Sequence, residues 1–283
     1  MSFDPQAVRD FEHRGWERAA ARYGATFARA TEGFVAPLLD AAAVAAGMRV
    51  LDLACGPGLV AAAVAERGAE PIGTDFSAAM LAEARARNPT IRFERADAES
   101  LPFAEGDFDT VLSNFGVHHF PEPARALSEV RRVLRPGGRV AFTSWAAPSE
   151  NPAWKLLFEA VAGHGDPEAA KAPPSGGGLR RPEDARALLD KAGFVGIETC
   201  TLARRWPLAT ADDPGSSPGQ VLLAGFRQGT VRTAAVIEAQ TAEARAAITA
   251  ALAEGAASYR DAGGGYSIPV IAILACGVKP DGR

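Results

Sequence analysis

Five short stretches hold most of the side chains that could do chemistry. In Val50–Gly58, VLDLACGPG, an apolar run ends in a turn with Gly56 and Gly58, and a helical pattern starts at once. Glycine lets a backbone approach a ligand closely and adopt angles that other residues avoid. Asp75 stands 17 residues after Gly58, at the end of the next apolar run. A carboxylate at that point can accept hydrogen bonds from sugar hydroxyls. The third stretch, RADAESLPFAEGDFD, carries Asp97. The fourth, SNFGVHHF, carries Asn114 and two adjacent imidazoles, His118 and His119, and the fifth is Arg135-Pro136-Gly137-Gly138. No Gly-Lys-Ser/Thr follows the glycine turn, so it is not a phosphate P-loop. The dinucleotide pattern G-x-G-x-x-G lacks its third glycine, since position 61 is Ala61, although alanine is sometimes accepted there. Each residue also has a plain structural reading. The glycines suit any tight turn, Asp75 could cap the next helix and Asp97 the next turn, and histidines are often packed or solvent-facing.

These residues need strand ends to hold them, and the pattern supplies such ends. Met48–Ala54, Glu70–Asp75, Ile91–Asp97, Phe108–Phe115 and Arg139–Trp145 read as strands. Helical stretches alternate with them. One covers Leu59–Arg67 and is closed by Gly68. A second is capped by Ser77 and runs to about Arg87. A third, from about Glu122 to Leu134, puts Leu127, Val130 and Leu134 on one face. Strands alternating with helices of this length predict a parallel sheet covered on both faces. After the break at Arg135–Gly138 the theme resumes with a helix at Pro182–Ala192 and a strand at Val195–Trp206. An alanine-rich helical stretch at 220–259 and a last, central strand at Gly265–Val278 complete it. Residues 1–47 read as helical, with Trp16, Tyr23, Phe27, Phe34, Leu38 and Leu39 as candidate buried side chains. Pro173–Gly178 has the composition of a loop, either a lid or a linker.

Composition narrows the function classes. The chain has 283 residues, 47% hydrophobic and 23% charged, which is ordinary for a globular protein. Thirty basic and 34 acidic residues give a formal charge of -4. That balance disfavours nucleic-acid and anionic-membrane partners, both of which attract a basic footprint. Cys55, Cys200 and Cys276 are an odd and widely spaced set without zinc-ligand spacing, so neither a metal site nor a disulfide framework is expected. The start of the chain lacks the apolar segment of a signal peptide, and no apolar run reaches about 18 residues. The expected setting is cytoplasmic, without membrane insertion.

Taken in order, DLACGPG, TDFS, DAESLPF, FDTVLSNFGVHHF and RVLRPGG resemble class I S-adenosylmethionine (AdoMet)-dependent methyltransferases. The likeness is to the small-molecule group that includes ubiquinone and menaquinone methyltransferases. It covers about 100 residues. The resemblance implies an α/β fold, a doubly wound Rossmann-like sheet of seven mostly parallel strands. Residues 1–47 would form a helical cap segment and residues 48–283 the methyltransferase domain. That domain would have its AdoMet-binding core at 48–145 and lid or substrate segments at about 150–180 and 207–262. It also implies roles. Backbone around Ala54, Gly56 and Gly58 would face the methionine moiety, and Asp75 would take the ribose hydroxyls. Phe76 and Met80 would pack near the adenine, Asp97 and the amide of Ala98 would meet its amine, and Asn114 would border the sulfonium. Tyr23 and Trp16 would close over the cofactor or acceptor, their plain reading being core aromatics of an N-terminal helix. Ala54 departs from the pattern, since many members have the first glycine of the loop there. Alanine is expected to cost little if the backbone stays extended.

The implied reaction moves a methyl group to oxygen, nitrogen or carbon of a small organic acceptor, with no metal. Orientation supplies most of the rate in such a displacement, and His118 or His119, at most one of them, is the candidate base. A fairly apolar acceptor is expected, and a homodimer is compatible with the sequence. Two other classes compete: an NAD(P)-dependent oxidoreductase on a related sheet, and a non-catalytic AdoMet-binding partner protein. Cofactor binding and turnover separate the three.

Overall fold

The computed structural model describes residues 3–169, 178–209, 217–262 and 264–281. The strands are β1 (Arg49–Leu53), β2 (Glu70–Asp75), β3 (Arg92–Arg95), β4 (Phe108–Asn114), β5 (Leu134–Trp145), β6 (Val195–Ala209) and β7 (Tyr266–Val278). They form one sheet in the order β3-β2-β1-β4-β5-β7-β6. The first five run parallel, and β7 enters antiparallel between β5 and β6. The crossovers leave in opposite directions on either side of the β1/β4 boundary, so the carboxyl ends of those strands splay into a crevice.

The helices that cover the sheet come in three groups. At the N-terminus lie α1 (Pro5–Tyr23), α2 (Ala28–Thr31) and α3 (Val35–Ala41). Within the alternating region lie α4 (Leu59–Glu66), α5 (Ala78–Arg87) and α6 (Pro123–Val133). The later helices are α7 (Pro152–His164), α8 (Pro182–Lys191), α9 (Pro218–Gly229), α10 (Arg232–Glu238) and α11 (Ala242–Ala256). Their starts follow local rules. Asp4 caps α1 with Pro5 in the first turn, and Ser77 Oγ accepts the Met80 N–H at 3.1 Å to open α5.

Strand neighbours alternate between two cores, as a sheet buried on both faces requires. Leu51, Val111, Val140, Phe142 and Ile273 pack with Leu127 and Val130 of α6 and Leu189 of α8. Val50, Leu112, Ala141 and Leu274 pack on the other face with Leu38 and Leu39 of α3 and Val60 and Val64 of α4. A third cluster joins Phe27 and Phe34 to Trp154, Trp206, Phe226, Ile248 and Ile268, so N-terminal and late helices share one apolar centre beyond the sheet's end.

Three boundaries differ from the sequence expectation. Helix α6 runs directly into β5, which starts at Leu134 and absorbs Arg135–Gly138; Gly137, at φ +72°, makes the local distortion there. Strand β3 is cut to four residues, and β6 continues past Trp206 to Ala209 because β7 pairs with it throughout. The proposed loop at Pro173–Gly178 lies, apart from Gly178, outside the described residues. Among the described residues no helix is long and apolar enough to cross a membrane.

Candidate functional site

The glycine turn is built by the sheet. The Cys55 N–H donates to Thr74 O at 2.9 Å and the Gly58 N–H to Cys55 O at 2.9 Å, folding the chain back on itself after β1. Asp75, at the end of β2, holds the turn with both carboxylate oxygens. Oδ2 accepts the Gly56 N–H at 3.0 Å and Oδ1 the Ser77 N–H at 2.9 Å. Ala54 has φ +56°, so its backbone does not stay extended. A Cβ in the left-handed region costs about 1–2 kcal/mol, which is the physical reason a glycine suits that position. The two glycines do different things. At Gly56, φ +51°, a Cβ would meet only Met80 Sδ at 4.0 Å, so this face of the turn is open. At Gly58, φ +83°, a Cβ would come within 2.9 Å of Phe93 and Asn88. Gly58 therefore lets the turn pack against Phe93 of β3, and among the turn residues it is Gly56, Pro57 and Leu59 that line the cavity beside the turn.

A cavity of about 420 Å³ opens at this edge of the sheet. From the β1 turn it is bordered by Ala54 and Gly56, and from the ends of β2 and α5 by Asp75, Phe76 and Met80. Asp97 and Ala98 follow β3, Asn114 ends β4 with His118 and His119 just beyond it, and Tyr23 reaches in from α1. The structure thus brings together every candidate except Gly58. With Trp16, which the sequence also offered, it adds residues that motif reading passed over: Asp52 on β1, Arg9 on α1, Trp145 at the end of β5, and Arg232 on α10.

Several of the expected side chains are already engaged. Asp97 Oδ2 accepts from Arg9 Nε at 3.1 Å and its Oδ1 from the Glu99 N–H at 2.9 Å. Asn114 donates through Nδ2 to Thr31 O at 3.3 Å and accepts from Thr143 Oγ1 at 2.7 Å. It ties the N-terminal segment to the sheet as well as bordering the cavity. Phe115, at φ +59°, stacks on Trp145 at 3.8 Å, and Trp145 meets Trp154 at 4.7 Å. Strained backbone at such a place marks an aimed side chain, and these rings form an aromatic wall.

Burial governs the charges. Asp52 is 1% exposed; its Oδ2 accepts the Ala61 N–H at 3.0 Å, while Oδ1 has no hydrogen-bond partner. Desolvation pushes its carboxyl up to about 7, with the nearby Asp75 adding to the rise against the Ala61 N–H. Asp75 is pushed up to about 6 by desolvation, opposed by the backbone N–H groups it accepts. Burial likewise raises the Tyr23 hydroxyl to about 12, though Thr31 lies 3.3 Å away. Burial drives the His118 imidazole well below its usual range, helped by His119, Arg232 and Arg180. Cys55 is a buried packing residue whose thiol is pushed up by desolvation.

The second histidine has a different environment. His119 Nδ1 lies 3.0 Å from Glu12 Oε2, and Glu12, 1% exposed on α1, also pairs with Arg232 through Oε1 at 2.7 Å. Trp16 meets the His119 ring edge-on at 5.0 Å, and the His118 ring is 4.1 Å away.

Comparison with known proteins agrees with this architecture. Residues 51–142 match the family described as Methyltransferase domain. A demethylmenaquinone methyltransferase of Beutenbergia cavernae is 42% identical over 125 residues, which is 44% of this chain and 50% of that protein. One from Thermus thermophilus is 36% identical over 178 residues, or 55% of this chain and 78% of that protein. The chain spans about half the length of the first of these curated relatives. A crystal structure described as a putative methyltransferase from Bacillus halodurans superposes with a TM-score of 0.53 at 23% identity, covering 88% of this chain and 99% of that one. Phosphoethanolamine N-methyltransferase 2 of Haemonchus contortus, solved with S-adenosylhomocysteine, gives 0.53 at 21% identity, covering 88% and 53%. With the sheet order, the turn after β1 and a match across most of the Thermus protein in agreement, the chain belongs to the class I AdoMet-dependent methyltransferases.

Proposed function

We propose that this protein methylates a small, flat, apolar acceptor with AdoMet as donor. The observation that carries the reading is the pair of buried acids, Asp52 and Asp75, on one wall of the cavity. Neither forms an ion pair among the described residues, and Asp52 Oδ1 has no hydrogen-bond partner. Buried carboxylates without a cation are costly, and AdoMet is a cation with both an ammonium and a sulfonium. The residues present fit it. Asp52 Oδ1 suits the ammonium, and the open face at Gly56 admits the methionine chain. Asp75 has lone pairs left for ribose hydroxyls, and Phe76, Met80 and Ala98 give the adenine an apolar slot beside Asp97.

When bound, AdoMet supplies an electrophilic methyl on a sulfonium. The chain has to hold the acceptor in line and keep water out, and orientation of this kind is worth about 7–11 kcal/mol. The wall of Phe115, Trp145 and Trp154 suits a planar acceptor. The relatives named demethylmenaquinone methyltransferase are consistent with one. A histidine of the His118–His119 pair would take any proton the acceptor must lose. The N-terminal segment and the late helices serve as the acceptor cap, and the cytoplasm is the proposed compartment. Isothermal titration with S-adenosylhomocysteine tests the core of this. Binding is expected, with Asp75→Ala weakening it at least tenfold. An absence of heat at millimolar ligand would overturn the proposal.

A further inference from the structure

The cavity has two histidines, and their surroundings set them apart. His118 is desolvated, and its Nδ1 is buried without a partner. Desolvation and the charges of His119, Arg232 and Arg180 all disfavour its protonated form. His119 has a buried carboxylate at hydrogen-bond distance from Nδ1. A carboxylate there holds the tautomer with the proton on Nδ1 and leaves the Nε2 lone pair as the basic site. The His119 ring borders the cavity, and among the described residues Nε2 has no hydrogen-bond partner.

Glu12 sits behind this ring and not in the cavity wall. Its position on α1 is unusual, because it falls on the buried face with Val8, Gly15 and Ala19. A carboxylate only 1% exposed needs a cation beside it. The Arg232 guanidinium, 2.7 Å from Oε1 and itself stacked 5.6 Å over the Phe11 ring, supplies that charge. Among the described residues, His119 therefore faces Glu12 from α1, with Arg232 of α10 on the far side of that carboxylate, the His118 ring beside it and Trp16 edge-on.

We propose that Glu12 is a positioning residue that makes His119, and not His118, the proton acceptor of the cavity. Arg232 balances the Glu12 carboxylate, and the acceptor molecule correspondingly carries a weakly acidic hydroxyl on an aromatic body. The inference rests on the methyltransferase reading for its chemistry, but not for its geometry. In the step it describes, the acceptor O–H bond breaks and its proton passes to His119 Nε2. The oxygen pair forms the bond to the methyl carbon as the carbon–sulfur bond breaks, and that pair stays on sulfur. Glu12 keeps its charge throughout and stabilises the imidazolium. The aromatic contacts running from His119 through Trp16, Tyr23 and Phe27 to Trp145 put the basic nitrogen and the stacking wall on one continuous surface.

Nuclear magnetic resonance of the full chain with labelled histidines tests the dyad without any acceptor. In the wild type, His119 is expected as the Nδ1–H tautomer. Its Nδ1–H proton should resonate downfield in the wild type, move upfield in Glu12→Gln, and return part of the way in Glu12→Asp. An Nε2–H tautomer in the wild type, or an Nδ1–H signal at the same position in the wild type and Glu12→Gln, overturns the proposal. The tautomer is read on wild-type protein, so the test survives a Glu12→Gln chain that does not fold. The acceptor class is tested with 4-nitrophenol added to protein loaded with S-adenosylhomocysteine, below the probe's own pKa. A gain of phenolate absorbance in the wild type that His119→Asn abolishes and His118→Asn preserves supports it. Binding without that gain, or no binding of the probe, overturns the hydroxyl acceptor. If S-adenosylhomocysteine itself does not bind, the methyltransferase reading fails while the tautomer measurement still decides the dyad.

Discussion

Asp52 and Asp75 make the site pH-dependent in a direction opposite to that of most surface acids. Their carboxyls, usually near 3.8, are raised to about 7 and about 6 in the fold. Between pH 4 and 7 the folded chain therefore binds more protons than the unfolded one. The contribution of these groups is fully present below pH 4 and is lost as pH rises through 6 and 7. A tenfold change in proton affinity between the two states corresponds to about 1.4 kcal/mol. Asp52→Asn keeps an oxygen for the Ala61 N–H and removes the charge. Its melting temperature should fall less than the wild type's between pH 5 and pH 8 in calorimetry, with weaker S-adenosylhomocysteine binding at both. At the turn, Gly56→Ala and Gly58→Ala should separate. The first adds a methyl to the open face and should lower ligand affinity tenfold or more. The second also meets Phe93 and Asn88 at 2.9 Å, so it should cost about 2–4 kcal/mol of stability in denaturant titration, from overpacking and left-handed strain together. These turn residues were legible because strand, glycine and acid follow one another within 30 residues. Asp52 lay inside the same motif and was passed over, since a carboxylate between leucines reads as part of an apolar strand until its burial is seen.

At the scale of elements, Phe27 joins what the chain order keeps apart. Its ring meets Trp145 of β5, Trp154 of α7, Trp206 of β6 and Phe226 of α9, at 5.2–6.2 Å between centroids. Phe27→Ala should cost about 3–5 kcal/mol, the usual loss for a buried ring, measured by urea unfolding. The damage should fall on the cap: hydrogen exchange should rise in α9 and α11 while β1 and β4 stay protected. Strands and helices between 48 and 145 were readable because a period of two and a period of three to four alternate there. The N-terminal segment and the late helices were readable only as helix. Which faces of α1, α9 and α10 meet depends on ring shapes and on glycine contacts such as Gly15 against Val231, 2.3 Å from where a Cβ would be, and no local pattern encodes those. One signal was present: Glu12 interrupts the otherwise small and apolar stripe of Val8, Gly15 and Ala19, and a lone charge on a buried stripe asks for a partner.

For the whole molecule, the decisive feature is β7. From Ala272 to Val278 it pairs with β5 on one side, and over nearly its full length it pairs with β6 on the other. Leu274→Pro would remove a ladder hydrogen bond and add a clash in a strand flanked on both edges. The expected outcome is loss of a cooperative melt and insoluble expression. The same strand has a consequence for how the protein is made. Every other strand and all eleven α-helices among the described residues are synthesised before the piece that belongs between β5 and β6 exists. Until then one edge of β5 and both edges of β6 stand unpaired, each a template for pairing with another copy. Slower synthesis and added chaperone are therefore expected to raise the soluble yield of the unaltered chain.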